Sequence, residues 1–417
     1  MNKLLKLDLH WQVLIAMGLG IIFAAVLGES SGFVEPIGKA FVSLLKMVIV
    51  PLIPVSIIGG VVSIGSGQNL TRLGGKTLLF YASTSFIACS IGLLMVNLLK
   101  PGVGLDMSAL GADVLQKPQA SGEQAEGLGA ILEKIIPENP VAAAANMDML
   151  GLIFFSIAFG VALSMVAEEH RKQVQPFLEG FCEVMLKLTL MIVKLAPIGV
   201  FCLVVAAVNK TDAQFLGAVG RYIAAVALGL AIHLFVVLPT IYFIFTRRNP
   251  VQHFVAMKEA LATMLATASS LATLPVTMRC VEENAKVPKK ISSFVLPLGA
   301  TVNMDGTALF ECIGAIFIAQ VVGGVELTMA QQITVVGTAL LASVGAAGLP
   351  SAGLIVIFMV LEAIGIQADA TVGIIVGTML AIDRPLDLLR GMTNIFSDSI
   401  GAVVLAKTEG EWPADEG

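Results

Sequence analysis

Charge is scarce in this chain of 417 residues: Asp, Glu, Lys and Arg together make up 13% of it, about half the ~25% usual in soluble domains. With 57% hydrophobic residues and a mean hydropathy of +0.90, a soluble globular protein is excluded and a polytopic helical membrane protein is expected. Cysteine is sparse too. Cys89, Cys182, Cys202, Cys280 and Cys312 are scattered in or beside apolar segments with no CxxC or Cys/His cluster, which makes them small buried hydrophobes rather than zinc or redox groups. No HExxH, GxSxG or P-loop pattern occurs, so neither hydrolysis nor ATP drive is indicated. There is no basic patch with interleaved aromatics and the net charge is −5, so nucleic acid is not an expected partner. The start, MNKLLKLDLHW, has no small-residue cleavage site and reads as a short cytoplasmic lead into the first helix.

The apolar segments predict helices at 10–28, 33–65, 77–100, 148–168, 176–208, 216–246, 290–322 and 370–406. Several exceed the ~20 residues that a span needs, so tilts or breaks are expected, and Pro51 and Pro54 should kink the second. Two further apolar segments, 251–283 and 327–363, are punctuated in the middle by ASSLATLP and GAAGLPSAG. Each reads as helix, small-residue tip, helix: a re-entrant hairpin. Lys3 and Lys6, Arg72 and Lys76, Arg171 and Lys172, Arg247 and Arg248, Lys286, Lys289 and Lys290, and Lys407 all fall on one side, the cytoplasmic one, only if both segments are hairpins. The 101–147 loop then lies outside and both termini inside. The order hairpin, helix, hairpin, helix repeats with opposite orientation in 251–322 and 327–406, the inverted plan that points to a site at the membrane midplane.

Two motifs carry the chemistry. Thr301-Val302-Asn303-Met304-Asp305-Gly306-Thr307 places poor helix formers at the centre of an apolar helix, which predicts local unwinding, freed carbonyls and an oxygen cage for a hard cation; a plain glycine kink is the bland reading. Near the C-terminus, Asp383, Asp387, Arg390, Asn394 and Asp398 follow one another at spacings of 4, 3, 4 and 4. At roughly 100° per residue they fall within an arc of about 80° on one helix face. A charge at the bilayer centre costs roughly 2.5–3.5 kcal/mol on the lenient insertion scale, so this stripe must face inward and be paired. An ammonium suits Asp387, and a carboxylate suits the planar fork of Arg390, unless the two only neutralise each other. Asn394 can donate to a second carboxylate, and Asp383 and Asp398 suit cations or a structural role. Asp305, Asp383, Asp387 and Asp398 against Arg390 leave a balance of −3, which requires bound cations if the site closes away from water. Tyr81, Thr84 and Ser85 add hydroxyls on one face of the third helix, with small-polar helix packing as the alternative. His233, mid-span, reads as a satisfied core histidine in preference to a proton relay.

The SSLATLPVT tip, Asn-Met-Asp-Gly-Thr at 303–307 and the charged stripe together resemble the glutamate transporter family of dicarboxylate and amino acid:cation symporters, which includes the excitatory amino acid transporters. The resemblance covers essentially the whole chain. It implies an all-α membrane protein with eight spans and two re-entrant hairpins in inverted repeats, assembled as a homotrimer in a bacterial inner membrane. Scaffold helices would lie in 1–76 and 148–208. An elevator-like transport domain would comprise 77–100, 216–246, the inner hairpin 251–283, 290–322, the outer hairpin 327–363 and 370–406. By the same resemblance, Arg390 would clamp the side-chain carboxylate of an acidic amino acid with Thr307 nearby, Asp387 would take the ammonium, and Asn394 with Ser269 and Ser270 would hold the α-carboxylate. Ala347, Gly348 and Leu349 would form the outer gate. Sodium, several ions per cycle, would bind at Asp398 with Asn303 and Asn394, at Tyr81, Thr84, Ser85, Asn303 and Asp305, and near Thr301, Ser343 and Val344. Gly391 stands where such carriers usually have Thr, and Ala268 where archaeal members have Arg. The resemblance thus implies sodium-coupled uptake of aspartate or glutamate and no enzymatic activity; C4-dicarboxylate or proton-coupled symport, and an ion channel, are the alternatives.

Overall fold

The computed structural model describes residues 9–63, 68–105, 136–146, 149–210, 213–323, 327–345, 352–366 and 370–412. The elements among them are helical. In chain order they are α1 (Leu9–Leu27), a 3₁₀ stretch (Gly28–Val34), α2 (Glu35–Ser63), α3 (Gln68–Leu99), α4 (Pro140–Ala145), α5 (Met149–Met165), α6 (Glu168–Val193), α7 (Ala196–Lys210) and α8 (Ala213–Ile232). A π-helical turn (His233–Val237) leads into α9 (Leu238–Thr246), followed by α10 (Pro250–Thr267), α11 (Ser270–Arg279) and a second π turn (Cys280–Asn284). The chain closes with α12 (Lys289–Val302), α13 (Asp305–Gly323), α14 (Met329–Gly345), α15 (Ala352–Ala363) and α16 (Ala370–Thr408).

By length and composition, four described stretches can cross a membrane: Ser30–Gly59, Arg72–Leu99, Gly217–Thr246 and Lys289–Gly323. The expected span 176–208 is not one helix. It begins at Glu168 and breaks between α6 and α7 with a bend of 53°. The cause is Pro197, whose ring clashes with the carbonyl four residues back; that residue is Val193, the last of α6. By contrast α2 runs on as helix through Pro51 and Pro54. In both punctuated segments the two helices pack on each other, α10 against α11 and α14 against α15. In the first, Asn249 caps α10 by accepting from the Val251 N–H at 2.9 Å, Ala268 turns the chain in the left-handed region (φ 51°), and Ser269 caps α11. The tip of the second, 346–351, lies outside the described residues.

Two large apolar cores form, with two small clusters besides, and α16 threads both large ones. Val372, Ile375, Val376, Met379 and Leu386 pack in one with α2, α3, α7, α8, α13, α14 and α15. Ile395, Phe396, Ile400 and Val403 pack in the other with α9, α10, the second π turn and α12. The charged stripe runs across the seam between them, and so does the break separating α12 from α13.

Of the basic residues expected on one side, Arg72, Lys76, Arg248, Lys290 and Lys407 meet Glu409, Glu411 or Trp412 near the end of the described chain, while Lys3 and Lys6 lie outside the described residues. Arg72 and Lys76, at the start of α3, both pair with Glu409 just beyond α16. Lys290 Nζ meets Glu411 at 2.9 Å. Arg248 and Lys407 lie over the Trp412 ring at 4.2 and 5.7 Å, and the indole N–H donates to the Ala285 carbonyl. Lys76 first, then Arg72, holds the Glu409 carboxyl below its ordinary range. A lowered folded-state pKa adds stability above the unfolded-state value of ~4.3 and loses it as pH falls through the folded one. E409Q should therefore lower the thermal midpoint in detergent at neutral pH, modestly because the basic partners are exposed, and match the wild type in acid below the carboxylate range.

Candidate functional site

Asn, Asp and Gly compete with or fail to support helical backbone, and the helix breaks where they cluster. Asn303 (φ −93°, ψ 88°) caps α12, its N–H donating to the Gly299 carbonyl at 2.9 Å, and α13 restarts at Asp305. The Asn303 and Asp305 side chains are fully buried.

Asp305 organises the first cluster. Its Oδ1 accepts from Ser85 Oγ at 2.6 Å and Thr84 Oγ1 at 3.2 Å. Its Oδ2 accepts from Ser397 Oγ at 2.7 Å and lies 3.1 Å from His233 Nε2. Asn303 Nδ2 donates to Ser397 Oγ at 3.0 Å and to Asp398 Oδ1 at 2.9 Å, while its Oδ1 has no hydrogen-bond partner among the described residues. Tyr81 donates to the Val295 carbonyl at 2.9 Å. A Cβ at Gly299 would collide with the Asp398 carboxylate and lie 2.6 Å from the Tyr81 hydroxyl, so this glycine lets α12 close on both. Two carboxylates, an amide and several hydroxyls thus share one buried pocket, a donor set suited to a hard cation.

Arg390 organises the second cluster. Its Nη2 donates to Asp387 Oδ1 at 2.6 Å and pairs with Asp383 at 3.1 Å; its guanidinium carbon lies 3.9 Å from the Phe310 ring centroid. The Nε and Nη1 hydrogens meet no protein acceptor among the described residues. Arg384, absent from the sequence-based charge balance, reaches Asp387 Oδ2 at 3.5 Å, so two arginines oppose the four aspartates. Asn394 ties the clusters together: its Oδ1 accepts from the Gly306 N–H at 2.8 Å and its Nδ2 approaches Thr307 Oγ1 at 3.3 Å. Gly353 on α15 covers the guanidinium, since a Cβ there would sit 2.8 Å from Nη1.

Of the residues singled out from sequence, Tyr81, Thr84, Ser85, Asn303, Asp305 and Asp398 converge in the first cluster, and Thr307, Asp383, Asp387, Arg390 and Asn394 in the second. Ser269 and Ser270 sit at the turn between α10 and α11, and both of these helices pack on α16. Thr301 and Ser343 spend their hydroxyls on carbonyls of their own helices. Val344, next to last in α14, has its side chain outside the described residues, and Ala347, Gly348 and Leu349 lie outside them altogether. Sequence reasoning missed Ser397, Gly299 and Glu311. Glu311 is fully buried on α13 with neither oxygen hydrogen-bonded among the described residues; a lone acid in an apolar run was the available signal. His233 is a buried histidine, expected to be satisfied but bonded only through Nε2, to Asp305; its Nδ1 has no hydrogen-bond partner among the described residues.

A broken helix and an ionic stripe buried at the seam of two apolar cores define a membrane transport protein. The chain matches the sodium:dicarboxylate symporter family over residues 9–408 and belongs to it. It is 33% identical to the proton/sodium-glutamate symport protein of Geobacillus stearothermophilus, covering 99% of this chain and 97% of that one. It is 37% identical to the human neutral amino acid transporter B(0), over 94% of this chain and 77% of the relative, and 34% identical to human excitatory amino acid transporter 2, over 94% and 78%.

Gly306 brings the break against α16, because a Cβ there would lie 2.7 Å from the Arg390 carbonyl oxygen and 2.9 Å from its Cα. Backbone has no rotamer with which to yield, so G306A should destabilise the folded protein by about 1–3 kcal/mol, measured as a lowered unfolding midpoint in detergent.

Proposed function

We propose that this protein is a sodium-coupled secondary symporter that takes up aspartate and/or glutamate. The observation that carries the reading is the buried Asp387–Arg390 pair, an anion and a cation side by side, with Arg390 Nε and Nη1 still free to donate. An acidic amino acid has the complementary charges. Its side-chain carboxylate would take the guanidinium, near Thr307; its ammonium would take Asp387; its α-carboxylate would take Asn394 and the Ser269–Ser270 tip. A neutral side chain would leave Arg390 Nε and Nη1 without an acceptor, and a dicarboxylate would bring negative charge beside Asp387 with no ammonium to offset it.

Sodium would travel with the substrate. Four aspartates against two arginines leave a net of −2, before Glu311 is counted, and buried negative charge of that size needs cations to stay ionised. Asp305 with Thr84, Ser85, Tyr81 and Asn303 would hold one ion and Asp398 with Asn303 and Asn394 another, with a third near Thr301, Ser343 and Val344; Asp383 would steady Arg390. The outer hairpin, with Ala347, Gly348 and Leu349 at its tip, would close once these charges are balanced. The domain built of α3, α8–α9, both hairpins, α12–α13 and α16 would then slide past a scaffold of α1, α2 and α5–α7 in a homotrimer, with eight spans, re-entrant hairpins and cytoplasmic termini in a bacterial inner membrane. Each net charge moved is driven by roughly 2.3 kcal/mol per 100 mV.

Purified protein in liposomes, given radiolabelled aspartate, glutamate and succinate under sodium or proton gradients, tests the reading. Sodium-driven, saturable uptake of an acidic amino acid is expected; uptake of succinate alone, or a sodium current without saturable uptake, would overturn it. D387A should lower aspartate uptake about a hundredfold or more, as truncating a buried charge partner does. R390C should turn preference toward neutral amino acids, read by competition with serine or alanine.

A further inference from the structure

Gly391 follows Arg390 at the edge of the charged stripe, one turn after Asp387 and just under one turn before Asn394. It is buried, and the space where its side chain would stand is filled. A Cβ at Gly391 would fall on the methyl carbon of Met264, with Met264 Sδ at 3.0 Å and Cγ at 3.2 Å. Met264 belongs to the last turn of α10, directly below the inner hairpin tip: its carbonyl accepts from the Ala268 N–H at 2.8 Å, and Thr273 Oγ1 of α11 lies 4.0 Å from its sulfur. The side chain is 3% exposed. Met264 is therefore a knob from α10 seated in a hole that only glycine leaves open, at a position on α16 between residues 387 and 394.

We infer that Met264, seated on Gly391, is a specificity-determining residue that walls the amino end of the substrate subsite and excludes substituents on the α-carbon or its nitrogen. The inference rests on the roles proposed above for Asp387 and Asn394. If the ammonium binds the first and the α-carboxylate the second, the α-carbon is held between them, and the thioether is the apolar surface facing it. Thioether is unbranched and adaptable, so it fills such a gap closely without demanding a hydrogen bond. The side-chain carboxylate, drawn toward the guanidinium, lies away from this wall. Met264 accordingly discriminates at the amino end and is indifferent to the length of the acid.

The test is competition against radiolabelled L-aspartate in proteoliposomes by N-methyl-L-aspartate, α-methyl-L-aspartate and L-glutamate, for wild type, M264A, M264V, G391A and the double variant M264A/G391A. Trimming the knob in M264A should improve the two methylated compounds relative to aspartate by about tenfold, the low end of what one methyl-sized group is worth in a pocket, while the glutamate-to-aspartate ratio stays within twofold. G391A should weaken aspartate by about tenfold by unseating the knob, and M264A/G391A should recover most of that loss, as coupled neighbours do. Equal gains for glutamate and the methylated compounds, or unchanged ratios in a variant that takes up aspartate, would overturn the inference and leave the symporter reading standing. Should M264A fail to fold, as judged by size-exclusion chromatography, the same ratios in M264V and the double variant decide. Wild-type protein without sodium-driven aspartate uptake would overturn the symporter reading itself, and this inference with it.

Discussion

The constraint on which the rest of the structure depends is the cost of charge in an apolar interior. Asp383, Asp387, Arg390 and Asp398 are all buried on one helix. Each must find compensation inside the protein, because neither lipid nor a dry core supplies it. The fold answers by laying the stripe along the junction of two apolar cores. There the helices before and after it can be sealed by aliphatic packing, while the stripe meets polar groups from the broken helix opposite.

That broken helix is the other half of the arrangement. A continuous helix spends its carbonyls and N–H groups on itself; an interrupted one has some to offer. At Asn303–Met304 the interruption is held open from across the seam. Asn394 accepts from the Gly306 N–H, Asn303 donates to Ser397 and Asp398, and Asp305 gathers hydroxyls from α3 and the imidazole of His233. Glycine is required where backbones or carboxylates come too close for a Cβ: Gly299 against Asp398 and Tyr81, and Gly306 against the main chain of Arg390. The two polar clusters thus adjoin along the broken helix and α16, with Asn303 and Asn394 bonded at the break itself.

Each helix pair packs chiefly over one half of the seam, α10–α11 on the C-terminal half of α16 and α14–α15 over α13. Gly353 on α15 covers Arg390 from one side, and Met264 on α10 reaches Gly391 from the other. The guanidinium is thereby covered by a residue without a side chain, while Phe310 supplies a rigid aromatic face against it. The relatives include glutamate and neutral amino acid carriers alike, as expected where one scaffold holds a small number of exchangeable contacts around a common core.

Local rules made much of this legible in advance. The spacing of Asp383, Asp387, Arg390, Asn394 and Asp398 required one helix face. Asn-Met-Asp-Gly required a break, and the punctuated segments required helix–turn–helix pairs; each follows from backbone geometry within a few residues. The bend at Lys194–Leu195 was legible too, in Pro197, but the apolar run through it masked the stop. Only the tertiary structure decided who pairs with whom. It gave His233 to Asp305, Arg384 to Asp387 and Met264 to Gly391, it buried Glu311, and it cast α16 as the strut shared by two cores. The physical reason is that helix and turn preferences act between chain neighbours, whereas the partner of a buried charge is chosen by packing between helices far apart in the chain.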